Sequence, residues 1–111
     1  MNNKTRSVMS LKKQFLKSKP VCKVTFSLTK DEANAAEKVQ LLGEFNQWKI
    51  EEAVELKKYK NGSFKATVDL PIENEFQFKY LIDGAVWSND VAADKYVNNG
   101  ITAEDNSVVV I

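Results

Sequence analysis

Apolar and polar residues alternate along most of the chain after residue 20. In "SFKATVDL", every second residue is apolar and the residues between them are polar. A period of two places successive side chains on opposite faces of a β-strand. The same alternation occurs in "CKVTFSL", "VQLLG", "AVELKKY" and "EFQFKYLID", and "NSVVVI" closes the chain as a further strand. We therefore predict strands with one buried and one solvated face, and Lys79, on the polar face of its run, is expected at the surface.

Turn signals separate these runs. Asn61-Gly62 lies between two predicted strands and is the strongest short hairpin signal, because both turn positions need a positive φ. Asp83-Gly84 predicts a second tight turn, and Pro71 with Asn74 marks a third. Short strands at regular spacing with turns between them indicate an all-β fold, an antiparallel β-sandwich.

The first 20 residues differ from the rest in pattern and in charge. Residues 1–9 are polar and are expected to be disordered, whereas "SLKKQFLKSK" places Leu11 and Phe15 four apart, which predicts a short amphipathic helical turn. Pro20 would end that turn. The predicted organisation is thus a flexible basic arm over 1–20 and one sandwich domain over 21–111.

Charge is distributed unevenly along the 111 residues. Residues 1–30 hold eight basic residues and no acid, and residues 31–111 hold eight basic and fifteen acidic residues, a net charge of −7. An acidic body repels polyanions, and we find no basic patch with interleaved aromatics in it. A solvated arm is therefore favoured over nucleic-acid binding. No apolar run is long enough to cross a membrane, so neither nucleic acid nor membrane is an expected partner.

Several kinds of chemistry are disfavoured by the residues present. The chain has no histidine and a single cysteine, Cys22, so no metal site, cofactor or internal disulfide is expected, and a cytoplasmic location is predicted. A glycosidase needs two carboxylates, one of them with a raised pKa. Asp83, Asp90 and Asp94 lie in polar, turn-like sequence that gives no reason for such a shift. We predict that the protein is not an enzyme.

Trp48 in "LLGEFNQWKIEEA" raises a question of placement. A loop tryptophan either plugs one end of the core or is held out to meet a flat partner. Trp87 follows the Asp83-Gly84 turn, and Lys79 points outward from the strand before that turn. Indole rings pack on the apolar face of a pyranose, and lysine and asparagine bind its hydroxyls. The combination favours sugar binding.

The motifs "GEFNQW", "EFQFKYLIDGAVW" and "DNSVVVI" resemble, in the same order, those of the family 48 carbohydrate-binding modules. That group includes the early-set domains of isoamylases and glycogen-branching enzymes and the glycogen-binding domain of the AMP-activated protein kinase beta subunit. The resemblance runs from about residue 22 to residue 111. It implies an immunoglobulin-like early-set sandwich that binds α-1,4-glucan. The implied site residues are Trp48, Lys79, Trp87 and Asn106, with Ile101 and Thr102 as further candidates.

The resemblance also limits the expected partners. They are an α-glucan polysaccharide or maltooligosaccharide and, beyond it, a glycogen-metabolism enzyme or another protein. The oligomeric state is not predicted. The alternative function is an interaction or assembly domain that keeps the early-set fold without binding sugar. The spacing from Asp83-Gly84 to Trp87 is one residue longer than is usual in the family, so the direction of Trp87 is a point for the structure to decide.

The polar start of the chain gives a first prediction. Deleting residues 1–9 should leave the melting temperature within a few degrees, about 1 kcal/mol or less, because nothing in this stretch can enter a core. Calorimetry of the truncated and full-length chains measures the difference. A large drop would mean that the segment packs as structure.

Overall fold

The computed structural model describes residues 11–111, so the disorder expected for residues 1–9 lies outside the described residues. The strands are β1 (Leu11–Phe15), β2 (Val21–Leu28), β3 (Val39–Gly43), β4 (Val54–Glu55), β5 (Lys57–Lys58), β6 (Phe64–Pro71), β7 (Glu75–Ile82), β8 (Val86–Ser88), β9 (Lys95–Asn98) and β10 (Asp105–Val110). Two 3₁₀ turns, Glu44–Asn46 and Ile50–Glu52, follow β3. Within residues 11–111, no helix has the length and apolar character needed to cross a membrane.

The strands form two antiparallel sheets. The first has the order β1-β2-β6-β5, and the second has the order β4-β3-β7-β10-β9, with β8 also paired to β7. The two sheets pack as a sandwich, which confirms the predicted all-β class. All six runs chosen from their alternation contain strands, although "AVELKKY" divides into β4 in one sheet and β5 in the other.

The core lies between the sheets and follows the period-two pattern. Phe26, Phe78 and Tyr80 are fully buried and pack edge to face, with ring centroids 5.1 Å apart for Phe26 and Phe78 and 5.8 Å apart for Phe78 and Tyr80. Phe64 and Leu70 of β6 are buried as predicted, whereas Lys65 and Thr67 are exposed. Because the pattern fixes which face of each strand enters the core, it also fixes which residues face outward.

The segment before β2 departs from its expected structure. Leu11 to Phe15 form β1, which pairs antiparallel with β2 from Leu11↔Phe26 to Phe15↔Cys22, instead of a helical turn within a flexible arm. Leu11 is buried in the core, while Phe15 is more than half exposed. Two apolar residues four positions apart would share one face of a helix. The edge of β2, however, supplies backbone hydrogen bonds that a helical turn of this length cannot match.

The hairpin of β5 and β6 also corrects an expectation. Lys57 lies directly opposite Lys65 in the register, and both ammonium groups lie within 6 Å of the Tyr59 ring centre, at 5.4 and 5.8 Å. The body therefore does carry a basic patch with an aromatic side chain inside it. Lys65 is supplied by the neighbouring strand, so the patch is only partly contiguous in sequence.

A buried polar network joins β7 to the chain between β8 and β9. The Tyr80 hydroxyl donates to Asp90 Oδ2 at 2.6 Å, and Asp90 is fully buried. The Asp90 amide donates to Ser107 Oγ at 2.8 Å, and the Ala92 amide donates to Asp90 Oδ1 at 2.8 Å. The polar, turn-like sequence around Asp90 gave no sign of this complete burial. Its carboxylate holds the loop onto the sandwich.

The network predicts a dependence of stability on pH. Burial, and then the negative charge of Asp90, raise the pKa of Tyr80 well above its usual value. The folded protein therefore keeps a proton that the unfolded chain releases above about pH 10. The free energy of unfolding should fall as pH rises beyond that point, by up to about 1.4 kcal/mol per pH unit.

Urea unfolding between neutral and alkaline pH measures this slope. Tyr80→Phe should be less stable at pH 7 by about 1–3 kcal/mol, since the buried Asp90 loses a donor. It should nevertheless lose less stability on going to alkaline pH than the wild type does. Tyr59→Phe, which alters a half-exposed tyrosine, controls for the loss of a phenol. Equal alkaline slopes in wild type and Tyr80→Phe would contradict the prediction.

Candidate functional site

The loop after β3 is held by its own motif residues. A Cβ at Gly43 would lie 2.5 Å from the carbonyl oxygen of Gln77, so only glycine allows β3 and β7 to approach this closely. The Glu44 carboxylate accepts the Gln77 amide at 2.7 Å. Phe45 packs on the core beside Phe26, with ring centroids 6.0 Å apart. These contacts fix the start of the loop against β7.

Asn46 fixes the rest of the loop from inside. Its buried side chain accepts the Gly43 amide at 2.9 Å and donates to the carbonyls of Leu41 and Glu52 at 3.1 and 3.4 Å. One amide group thus joins the end of β3 to both sides of the loop. Backbone polar groups that no strand can pair are satisfied in this way.

Trp48 is presented by a left-handed stretch of backbone. Gln47 and Trp48 have φ of 54° and 59°, and the Trp48 amide donates to the Gly43 carbonyl at 3.0 Å. Positive φ is costly for a bulky residue and persists only where the surroundings impose it. The Trp48 side chain is half-buried and does not belong to the main core cluster. The tryptophan is therefore neither a core plug nor a fully free side chain.

Lys79 lies at the centre of the outer face of the second sheet. It pairs with Leu42 across β3, and its ammonium group lies 3.4 Å from Glu104 Oε1. Only 12% of its side chain is exposed, which corrects the expectation of a solvated surface lysine. Leu42 and Leu81, its neighbours on this face, are buried as well. The lysine stem lies along apolar surface and holds the ammonium group in place.

Trp87 faces the same way as Lys79. Ile82 pairs with Val86, so three residues form the turn, and Asp83 and Gly84 have positive φ as predicted for a tight turn. Trp87 consequently pairs with Leu81 on the outer face and is 46% exposed. The additional residue in this turn leaves the indole on the outer face, beside Leu81.

Asn106 lies in β10 and not in a turn. Its Nδ2 donates to Gln77 Oε1 at 2.9 Å, and its side chain is partly exposed. Ser107 pairs with Phe78, so Asn106 lies next to the row of Lys79 on the outer face. Gln77 thus orients the side-chain amide of Asn106 and leaves its Oδ1 atom to accept a hydrogen bond from another donor.

The two remaining candidates, Ile101 and Thr102, lie in the loop between β9 and β10 and differ in their surroundings. The Asn99 side chain accepts the amides of Ile101 and Thr102, each at 2.8 Å, and holds the loop in a compact turn. Ile101 is 89% exposed. The Thr102 hydroxyl accepts from Asn99 Nδ2 and from the Glu104 amide, which gives it a role within the loop.

The loop after β3, the outer face of β7, β8 and β10, and the loop between β9 and β10 together line an open cavity of about 360 Å³. It is lined by Trp48, Lys79, Trp87, Asn99, Ile101, Glu104 and Asn106. All four principal candidates and Ile101 therefore come together, whereas Thr102 does not line the cavity. Sequence reasoning missed Asn99 and Glu104, because a polar residue in a loop gives no signal of its direction.

The cavity suits a flat, uncharged, hydroxyl-rich ligand. Two indoles and Ile101 supply apolar contact, and Lys79, Asn99, Asn106 and Glu104 supply donors and acceptors around them. The lysine and glutamate charges offset each other, so the cavity does not select strongly for a charged ligand. Shape and directional hydrogen bonds would therefore determine what binds.

Comparison with known families agrees with this chemistry. Residues 22–109 match the profile described as the glycogen recognition site of AMP-activated protein kinase. The chain belongs to this family. No individual curated protein matched it. The match extends from β2 to β10 and includes every residue that lines the cavity, whereas β1 lies before it. The family consists of glycogen-recognition, carbohydrate-binding modules of the family 48 type, so the resemblance seen in the sequence is confirmed.

The three acids considered for catalysis are occupied elsewhere. Asp83 Oδ1 accepts the amides of Glu37 and Lys38, each at 2.9 Å. Asp94 forms an ion pair with Lys13 at 2.7 Å and accepts the Val110 amide. Neither carboxylate lines the cavity, nor does that of Asp90. The roles found for these acids are structural.

Asn46 is the residue whose loss should test how Trp48 is held. Asn46→Ala removes the partner of a buried amide and of two carbonyls, so stability should fall by about 1–3 kcal/mol. Tryptophan emission should move to longer wavelength as the loop opens. Urea unfolding and emission spectra measure both effects. Gln47→Ala, at the exposed neighbouring position, should change stability by only about 0.5 kcal/mol. Equal stability of the two variants would contradict the role given to Asn46.

Proposed function

We propose that this chain binds α-1,4-glucan, as polysaccharide or as maltooligosaccharide, without altering it chemically. Trp48 and Trp87 act as platforms for pyranose rings, and Lys79 and Asn106 bind the hydroxyl groups at their edges. The main support for this proposal is that these four side chains, which come from separate parts of the chain, line the same cavity. Membership of a glycogen-recognition family supports the same ligand class.

Two of the four side chains, those of Lys79 and Asn106, are already held in position in the protein without a ligand. The Lys79 stem lies along apolar surface and its ammonium group lies beside Glu104. The side-chain amide of Asn106 is oriented by its hydrogen bond to Gln77. Groups whose freedom is already restricted lose less entropy on binding. An open cavity with two platforms should still bind weakly, with a Kd of about 10 μM to 1 mM.

A binding role without catalysis follows from the same features. The cavity holds one carboxylate, that of Glu104, which lies 3.4 Å from the Lys79 ammonium group. Glycoside hydrolysis uses a pair of carboxyl groups across the scissile bond. The free, buried thiol of Cys22 suits a reducing compartment, and we place the protein in the cytoplasm on that ground.

Intrinsic fluorescence gives a direct test, because both tryptophans of the chain line the cavity. Maltoheptaose or β-cyclodextrin should change the emission in a saturable way. Trp48→Ala and Trp87→Ala should each lower affinity by about tenfold or more, measured by calorimetry. Lys79→Met should weaken binding with little loss of stability, since it keeps the stem and removes only the ammonium group.

Matched controls separate binding from folding. Phe15→Ala removes an exposed aromatic outside the cavity and should leave the titration unchanged. Incubation with glycogen or amylose should release no reducing ends. A folded wild-type protein that gives no saturable response to any α-glucan would contradict the proposal and favour an interaction domain. Glucan hydrolysis that is lost when Asp83, Asp90 or Asp94 is replaced would contradict the proposed absence of catalysis.

A further inference from the structure

The hairpin of β5 and β6 carries a second surface of distinct chemistry. Its lysine patch consists of Lys57, Lys58, Lys60 and Lys65 around Tyr59, and they line an open cavity of about 620 Å³ together with Asn61 and Ser63. No acid occurs between residues 57 and 65. None of these residues lines the cavity of Trp48 and Trp87. The patch is therefore a separate surface that sugar binding does not explain.

The lysines of the patch are arranged against their own electrostatic preference. Lys57 and Lys65 are direct cross-strand partners, and like charges in that position repel. Both ammonium groups lie near the Tyr59 ring, which offsets part of the repulsion. Among residues 11–111, Lys57, Lys60 and Lys65 have no carboxylate within 4 Å, whereas Lys58 pairs with Glu37 at 3.6 Å. An anion placed between the Lys57 and Lys65 ammonium groups would offset their repulsion.

The backbone beneath the patch is fixed. The Tyr59 amide donates to the Ser63 carbonyl at 2.8 Å, and the Asn61 side chain accepts both the amide and the hydroxyl of Ser63. A Cβ at Gly62 would lie 2.8 Å from carbons of Lys30, so the stem of a fifth lysine packs on the turn. A fixed backbone reduces the ordering cost of binding to that of the lysine side chains.

Protection of a sheet edge explains only part of this arrangement. β5 is the last strand of its sheet, and lysines on edge strands prevent edge-to-edge aggregation. Lys65, however, is on β6, which lies inside the sheet between β2 and β5. Edge protection requires no charge there, and least of all one opposite Lys57. The pair is better explained by a ligand that uses both ammonium groups.

We propose that the lysine patch binds an extended acidic segment of a partner protein along β5. The open edge of β5 offers backbone groups to an added strand, and the lysines and Tyr59 would contact its carboxylate side chains. β5 is two residues long and Lys60 lies in the turn that follows it, so the basic surface is short. About four residues with acids at alternate positions would cover it.

The size of the patch and the charge around it favour a short peptide over longer polyanions. The sheet beside the patch carries mixed charge: Lys23 of β2 pairs with Asp69 of β6 at 3.2 Å, and the whole chain has a net charge of +1. A duplex or an anionic membrane would extend past the patch onto this surface, where paired charges of opposite sign add little attraction. A peptide of a few residues stays within the basic area.

The test uses the full chain and a fluorescein-labelled peptide of alternating Glu and Thr, with a Gln-for-Glu peptide as the ligand control. Fluorescence anisotropy at about 50 mM salt should show saturable binding that weakens as salt rises. Lys57→Gln with Lys65→Gln should lower affinity roughly tenfold. Lys17→Gln with Lys19→Gln, the same charge change at exposed residues elsewhere, should lower it less than about twofold.

Two further readouts separate the alternatives. Lys65→Gln should raise the melting temperature by about one or two degrees in the absence of peptide, because the opposed charges are removed. The patch variants should bind maltoheptaose as the wild type does, so failure here is distinct from failure at the sugar site. Equal losses in both double variants would overturn the proposal, as would tighter patch-dependent binding of duplex DNA or of anionic vesicles. Concentration-dependent self-association through the patch would overturn it in favour of a second copy.

Discussion

The pairing of β7 with three other strands is the constraint on which the outer surface depends. β3 pairs along one side of β7, while β10 and then β8 share the other side. Lys79 lies where these three neighbours come together. The loop after β3 brings Trp48 to this point, β8 brings Trp87 and β10 brings Asn106. A shift of register by one residue would turn Lys79 into the core and its two buried neighbours, Phe78 and Tyr80, outward.

The motif around Trp48 follows from this constraint. Gly43 allows the close approach of β3 to β7, Phe45 anchors the loop in the core and Asn46 satisfies its backbone from within. With Glu44, which accepts the Gln77 amide, four of the six residues in "GEFNQW" therefore serve to place the last one. The local cost of positive φ at Trp48 is offset by these contacts, which come from residues with no role in touching a ligand.

Much of the fold could be predicted because the alternation at β2, β6 and β7 is regular and each strand has one buried face. β1 could not be predicted, since Leu11 and Phe15 satisfy a helical spacing equally well and the deciding hydrogen bonds come from β2. The site residues that occur in motifs were found together in one cavity. Glu104, Asn99 and the burial of Lys79 and Asp90 could not be predicted, because each depends on contacts between distant segments. The pairing of Lys57 with Lys65 was missed for the same reason.

The outer face of the second sheet is itself partly apolar. Leu42, Leu81 and Val108 are almost fully buried although they do not belong to the main core cluster. Trp87 is the direct cross-strand partner of Leu81, so its indole covers hydrophobic surface as well as facing the cavity. Selection for stability alone would therefore preserve an aromatic residue at this position in a related protein that does not bind sugar. The presence of Trp87 in a related sequence is accordingly a weaker sign of the proposed sugar binding than that of Asn106, a partly exposed polar side chain that offers no comparable apolar cover.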